Sequence, residues 1–437
     1  MRSVRHIVRC VAAWAALGCI APLAAQNAPE QPPPRLGGVI EGQGFKRVPI
    51  AIPVPDSDAS GAAESAEFAA TLREDLTFSG FFEIVSPELY VKVPEPRATG
   101  VAYDDWLGIG ADAVVLSRLT LTGGRIDLQA RLHDNTARKV TLGRRLGGTT
   151  DLLRRVAHQL ADEIVQLYTG RPGVALTRIA FVSKHEKGKE IYLMDYDGQR
   201  VRRLTTTGTI NLFPVWSPEG ERLAFVSWRA RQPGIHIMDA EGKLTSVPAL
   251  RGELNSTPDW TPDGKQLVFS SDMEGNSDIY LLELASKRTT RLTRSNAIDT
   301  SPDVSPNGRE IAFTSDRSGT PQIYVMGIDG LNVRRVSTNG AYSDSPSWSP
   351  RGDKLAYATR IDGRFHIVTL ELASGAVTQL TSGASNNEDP RWSPDGRHIV
   401  FSSNRQGSYD IHVMAADGSD VRRLTRGMDA YTPDWSH

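Results

Sequence analysis

A motif of the form Pro-x-Trp-Ser-Pro-x-Gly returns through the second half of this 437-residue chain at an almost constant interval. It reads PVWSPEG from Pro214, PDWTPDG from Pro258, PDVSPNG from Pro302, PSWSPRG from Pro346 and PRWSPDG from Pro390, and it ends as a bare PDWS from Pro433. The leading prolines lie 44, 44, 44, 44 and 43 residues apart. An interval of that length, filled with short strands, marks β-propeller blades of four strands each. Within a repeat the first strand carries Trp216, Trp260, Trp348 or Trp392 and ends in a Ser/Thr-Pro-x-Gly turn, where proline presets φ and glycine relieves the exit. An alternating run such as Leu223–Val226 or Ile399–Phe401 makes the second strand, and Ile323–Met326 or Ile411–Met414 the third. Asp329-Gly330 or Asp417-Gly418 then turns the chain into a fourth, as at Arg334–Ser337.

The two ends of the array complement each other. Residues 178–205 supply three strands without the proline-tryptophan strand, and the chain stops just after supplying one at Thr432–Ser436. The C-terminus is therefore expected to complete the first blade, giving six blades and no open sheet edge at the seam. The repeated tryptophans read as packing between blades and not as ligand contacts. Asp195-Tyr196-Asp197-Gly198 begins like a calcium loop but lacks the later glutamate that an EF-hand requires.

Ahead of the propeller, residues 45–171 read as a separate α/β domain. Val48–Ile52 and Phe82–Val85 look like strands, as do Ala113–Leu121, Ile126–Leu132 and Val140–Leu146. Residues 63–78 place Phe68, Leu72 and Leu76 on one helical face, and a helix from Asp151 to Tyr168 buries Leu153, Val156, Leu160 and Ile164. Thr169–Gly173 ends that helix and marks the boundary to the propeller, residues 173–437. The fold class expected is multidomain: a mixed sheet with two helices, followed by an all-β six-bladed propeller closed by the C-terminal strand.

The first 25 residues differ from the rest. Arg2, Arg5 and Arg9 precede an apolar run from Cys10 to Leu23 and small residues at Ala24 and Ala25, which reads as a secretory signal peptide; the run is too short for a membrane span. Leu17-Gly18-Cys19 faintly suggests a lipoprotein box, but Ala16 stands where leucine is usual. Both cysteines fall in this segment, so the exported chain would carry no thiol and need no disulfide. Residues 26–44 begin with a proline-rich leader that packs poorly. With 50 basic and 51 acidic side chains the chain offers no global field for nucleic acid.

No reaction chemistry is visible. The chain has no G-x-S-x-G elbow, H-E-x-x-H, Walker loop or C-x-x-C, and its histidines are scattered through different elements. His133-Asp134 reads as a solvated hairpin turn. The alternative is a propeller enzyme, lyase or peptidase-like, with its active site in the channel; a peptidase would need a hydrolase domain that nothing after the propeller supplies.

The repeats ending in Pro-x-Trp-Ser, together with Val48-Pro-Ile-Ala-Ile-Pro, Leu72-Arg-Glu-Asp-Leu and Ser79-Gly-Phe-Phe, resemble the TolB family of the Tol-Pal system. The resemblance implies a periplasmic, non-enzymatic, monomeric protein without a cofactor. Its partners would be the lipoprotein Pal, bound at the propeller mouth and giving peripheral outer-membrane association, and the inner-membrane protein TolA, bound by an N-terminal strap. The role implied is support of outer-membrane integrity and of outer-membrane invagination during cell division. The strap corresponds to residues 36–44, with Leu36, Val39, Ile40 and Glu41 as its contacts. Blade symmetry and the family agree on a mouth formed by residues entering the innermost strands: Asn211, Phe213, Asn255, Thr257, Asp299, Thr300, Asp344, Asn387, Glu388 and Tyr431. The acids among them would suit a calcium ion in the channel. Pal at the mouth is expected to alter whether the strap packs on the body or is free for TolA.

Overall fold

A computed structural model describes residues 46–93, 100–186, 188–230, 232–245, 250–338 and 340–437. The signal segment, the leader and the strap residues Leu36, Val39, Ile40 and Glu41 lie outside the described residues.

The N-terminal domain is a mixed five-stranded sheet of order β2-β1-β3-β4-β5. Its strands are β1 (Val48–Ala51), β2 (Phe82–Ile84), β3 (Ala113–Thr122), β4 (Arg125–Asp134) and β5 (Lys139–Thr149). β1 pairs in parallel with β2 and β3, and β3, β4 and β5 form an antiparallel meander. Helices α1 (Ala62–Phe78) and α3 (Leu153–Thr169) pack together on one face, and the short α2 (Tyr103–Gly108) sits on the other. Phe68, Leu72, Leu76, Leu160 and Ile164 are at most 2% exposed, so the two amphipathic stripes meet the sheet as their spacing requires. Gly170 ends α3 at φ +74°, a left-handed cap that glycine adopts without a Cβ clash. One local expectation fails: His133 is no solvated turn residue but is buried within β4, its Nδ1 3.2 Å from the Tyr103 hydroxyl. The hairpin instead turns at residues 135–138, where the Asp134 carboxylate accepts from the Ala137 amide.

Six four-stranded antiparallel sheets follow. Five are built from consecutive strands, and the sixth joins Ala430–Trp435 to Arg178–His185, Gly188–Asp195 and Arg202–Arg203. The seam pairs Ala430 with Ser183 and Trp435 with Ile179. It is fastened further by Ser436, whose amide donates to the Arg178 carbonyl at 2.8 Å and whose hydroxyl accepts from the Arg178 amide at 2.9 Å. Trp260 packs with Val215 and Ala224 of the preceding blade, and its indole donates to the Val215 carbonyl at 3.3 Å. The tryptophans thus fill the spaces between blades.

The outermost strands are shorter than expected, only Arg334–Arg335 of the four residues Arg334–Ser337. Ser337 leaves the ladder because its hydroxyl accepts from the Ile323 amide at 3.0 Å and donates to the Gln322 side chain at 2.7 Å. Thr425 does the same with the Ile411 amide and Asp410, whose carboxylate also accepts from Arg423 and from the Gly427 and Met428 amides. This buried clamp fixes the loop that leads into the closing strand.

The domains share a core. Asp75 of α1 accepts from the Tyr196 hydroxyl at 2.5 Å and pairs with His158 of α3 at 2.8 Å, all three being nearly inaccessible. Phe78 stacks on His398 with centroids 4.0 Å apart, and the Arg397 guanidinium lies 3.9 Å over the Phe81 ring. The Asp162 carboxylate accepts from the Ala175 and Leu176 amides, and the Trp435 indole donates to Thr177 at 2.8 Å. The linker is therefore held from both sides, by α3 and by the closing strand.

Candidate functional site

Every innermost strand breaks register once on its neighbour, as between Ser256 and Asp259 or between Glu388 and Arg391. At each break one residue takes a left-handed conformation: Phe213, Thr257, Ser301, Ser345, Asp389 and Thr432, with φ between +44° and +55°. None is glycine. Each precedes the repeat proline, whose ring disfavours the right-handed helical region for the residue before it. A left-handed L-residue costs about 1–2 kcal/mol, so the ring of blades must hold all six against that preference. The bulge bends the strand, and these six residues with their prolines line one mouth of the axial channel.

Below this rim, the residue after each repeat proline faces the axis: Val215, Asp259, Asp303, Ser347, Arg391 and Asp434. Arg391 crosses the channel to ion-pair with Asp303, two blades away, and lies 3.5 Å from Asp434. Each carboxylate also accepts a backbone amide of a neighbouring blade: Asp259 from Val304, Asp303 from Trp348 and Asp434 from Trp216, at 2.6 to 2.7 Å. Burial pushes the Asp434 carboxyl up to about 7, against the pull of Arg391 and the Trp216 amide. Burial and then repulsion from Asp303 hold Asp259 well above the usual carboxylate range. Three carboxyls and one guanidinium thus share the axis, with protons making up part of the balance. The opposite mouth is a cavity of about 340 Å³ lined by the repeat tryptophans and by His437.

The residues expected at the mouth divide into two sets. Asn211, Asn255, Asp299 and Asn387 are at most 3% exposed, because the first residue of each innermost strand turns its side chain back into the blade. Asn211 donates to the Lys189 carbonyl and to Glu190, and Asn255 accepts from Ser271. Asp299 takes two bonds from Arg317 at 3.0 Å, and Asn387 accepts from Ser403 and Arg405. Asn255, Asp299 and Asn387 are clamps within blades and Asn211 a clamp between two neighbouring blades, so the four present nothing to a partner. Phe213, Thr257, Thr300, Asp344, Glu388 and Tyr431 are half-buried at the mouth. Counting from the repeat proline would also have found Ser301, Ser345, Asp389 and Thr432, which occupy the same register as Phe213 and Thr257.

The rim is chemically lopsided. Ile210, Leu254 and Ile298, each preceding an innermost strand, are 42%, 41% and 53% exposed. On the other side stand Asp344, Glu388 and Asp389. Burial raises the Asp344 and Glu388 carboxyls, while bonds from the Thr314 and Tyr409 hydroxyls at 2.7 Å oppose it. Tyr409 and Tyr431 pack with centroids 4.9 Å apart, and the Lys189 ammonium lies 4.6 Å over the Tyr431 ring. Among the described residues no three His, Asp or Glu side chains lie close enough to hold a metal ion, so the acids considered for calcium form no assembled ligand set. The N-terminal domain touches the propeller through Tyr196, Asp197, His398 and Trp435, at the opposite ends of the strands from this rim.

A family model described as the TolB beta propeller domain matches residues 165–437, and one described as the TolB amino-terminal domain matches residues 39–141. The chain belongs to the TolB family. Among curated relatives, the Tol-Pal system protein TolB of Geobacter sulfurreducens is 40% identical over 162 residues, covering 37% of this chain and 38% of that protein. The protein of the same description from Roseobacter denitrificans is 33% identical over 208 residues, or 46% of each chain. These alignments span less than half the length of either relative. The crystal structure of TolB from Acinetobacter baumannii superposes with a TM-score of 0.77 at 26% identity, covering 90% of this chain and 97% of that one. The TolB fold, an α/β domain followed by a six-bladed propeller, is therefore common to both. Among the described residues no helix is long and apolar enough to cross a membrane.

Proposed function

We propose that this TolB-family chain is a non-enzymatic, periplasmic interaction component of a Tol-Pal system. It binds Pal at the rim built on the six left-handed residues and engages TolA through residues 36–44, supporting outer-membrane integrity and invagination at division. The observation that carries this reading is the rim itself. Six backbone positions are held in an unfavourable conformation to present a rigid, half-exposed ring, on the face that the N-terminal domain leaves free. A site of that kind docks a folded partner with little ordering cost. Arg391 spans the axis between the two mouths, which argues against a channel enzyme with substrate passing through.

The closing strand connects the two ends of the molecule, with Tyr431 and Thr432 at the rim and Trp435 at the domain junction. It is the element through which occupation of the rim would bias the strap, a coupling of about 1–3 kcal/mol. Titrating the soluble domain of Pal into the chain by calorimetry tests the reading. Asp344→Lys with Asp389→Lys is expected to weaken binding strongly, and Ser286→Ala, in the exposed turn after Asp278–Glu283 at the end of the blade away from the rim, to leave it unchanged. Undiminished binding by the rim variant would defeat the assignment. Unchanged Pal affinity after deletion of residues 26–44 would defeat the coupling alone.

A further inference from the structure

Helices α1 and α3 cover one face of the N-terminal sheet, and α2 with its neighbours covers the start of the other around Ala51, Val85 and Val114. Beyond Leu116 that second face is bare among the described residues. Strand register sets Arg118, Gln129 and Arg145 in one row across β3, β4 and β5, and Leu116, Arg131 and Gly143 in the next. All but the half-buried Leu116 are exposed, and they border a groove of about 830 Å³.

The charge of this surface is one-sided. Residues 113–149 contain seven basic side chains and two acidic ones. Arg145 takes Asp127 in two bonds of 2.9 and 2.8 Å, and Arg118 lies 3.8 Å from Asp56. Arg131 has no carboxylate partner among the described residues. β5 is also the sheet edge, with no strand beyond it among the described residues. An open edge offers a row of backbone donors and acceptors to an incoming strand. Gly143 stands between Arg131 and that edge, and a Cβ there would meet nothing within 4 Å. The Arg131 side chain is thereby free to reach across β5 to a residue on the next strand.

We propose that this face binds an acidic protein segment in extended conformation, added as a further strand along β5 with carboxylates at alternate residues facing Arg145 and, across Gly143, Arg131. The edge supplies affinity through main-chain hydrogen bonds, and the two guanidiniums set register through charge-assisted bonds. The row spacing selects acids two residues apart, since neighbouring residues of a strand point to opposite faces. The chain's own leader is a poor complement, because residues 26–45 hold two acids and one arginine.

The test uses the full exported chain and a short labelled peptide of alternating glutamate and valine, with an alternating lysine and valine peptide as control. Fluorescence anisotropy is expected to report binding of the glutamate peptide only, weakened by high salt and by about tenfold or more in Arg131→Glu. Hydrogen exchange of the Lys139–Thr149 amides is expected to slow on binding. Arg131→Gln, which keeps a polar side chain at the same exposed position, guards against misfolding of the charge-reversed variant and is expected to weaken binding less. Equal binding of the lysine peptide, undiminished binding by Arg131→Glu, or unaltered exchange along β5 would overturn the proposal. So would displacement of the peptide by anionic phospholipid vesicles, which would make a membrane the occupant. Binding that appears only after residues 26–45 are deleted would make the leader the occupant and equally overturn it.

Discussion

Replacing Trp435 by alanine should damage two things at once, the ring closure and the joint between the domains. The indole is 3% exposed, packs in the core that both domains share, and donates to Thr177 in the linker at 2.8 Å. Truncating a buried tryptophan costs about 3–5 kcal/mol, and the lost hydrogen bond lies within that figure. Against a typical stability of about 5–15 kcal/mol this is a large fraction. At roughly 2 °C per kcal/mol for a large domain, the melting temperature should fall by about 6–10 °C. Trp348→Ala is the control, since Trp348 is 7% exposed and packs between two blades far from the linker. Both variants should lose similar stability by circular dichroism. Only Trp435→Ala should expose residues 170–177 to limited proteolysis below its melting transition. Equal cleavage in the two variants, or none in Trp435→Ala, would refute the idea that the closing strand locks the linker.

Other consequences are equally specific. Asp410→Ala removes the buried acceptor of Arg423, of the Thr425 hydroxyl and of the Gly427 and Met428 amides, and leaving those donors unsatisfied should cost about 1–3 kcal/mol in a denaturant melt. Burial holds the His398 ring down at about 4. The unfolded ring gains its proton first as pH falls, so stability should drop between pH 6.5 and 4 by up to about 3 kcal/mol, and His398→Phe should flatten that slope. Asp434, raised to about 7, acts with the opposite sign: its folded form keeps a proton that the unfolded chain has lost, so stability falls as pH rises from 3.8 through 7. Asp434→Asn should remove that loss and gain stability at pH 8. Arg391→Ala, which strands three channel carboxyls together, should destabilise the ring more at pH 8 than at pH 5 in thermal melts.

Sequence reading reached the architecture because the propeller repeats its chemistry at a fixed interval, so each proline-tryptophan strand reinforces the others. The missing strand before Arg178 and the surplus one at Thr432 made the seam legible. The rim was legible only in part. Asn211, Asn255, Asp299 and Asn387 look like exposed turn residues because they are polar and open a strand, yet their polarity serves partners such as Glu190 and Arg317 that sit in other elements. The left-handed ring left no trace, since Phe213, Thr257, Ser301 and Thr432 are residue types that nothing local marks for positive φ. Arg391 and Asp303 lie 88 positions apart and meet only because the ring closes. The Asp75, His158 and Tyr196 junction combines two helices and a blade turn, and no spacing within any one of them announces it.

Hydrogen exchange of the chain with and without the soluble domain of Pal tests the central claim most directly. The account predicts slowed exchange confined to the segments around residues 210–213, 254–257, 298–301, 342–345, 386–389 and 429–432. Protection of the tryptophan-lined mouth or of the N-terminal sheet, with the six rim segments unchanged, would contradict it.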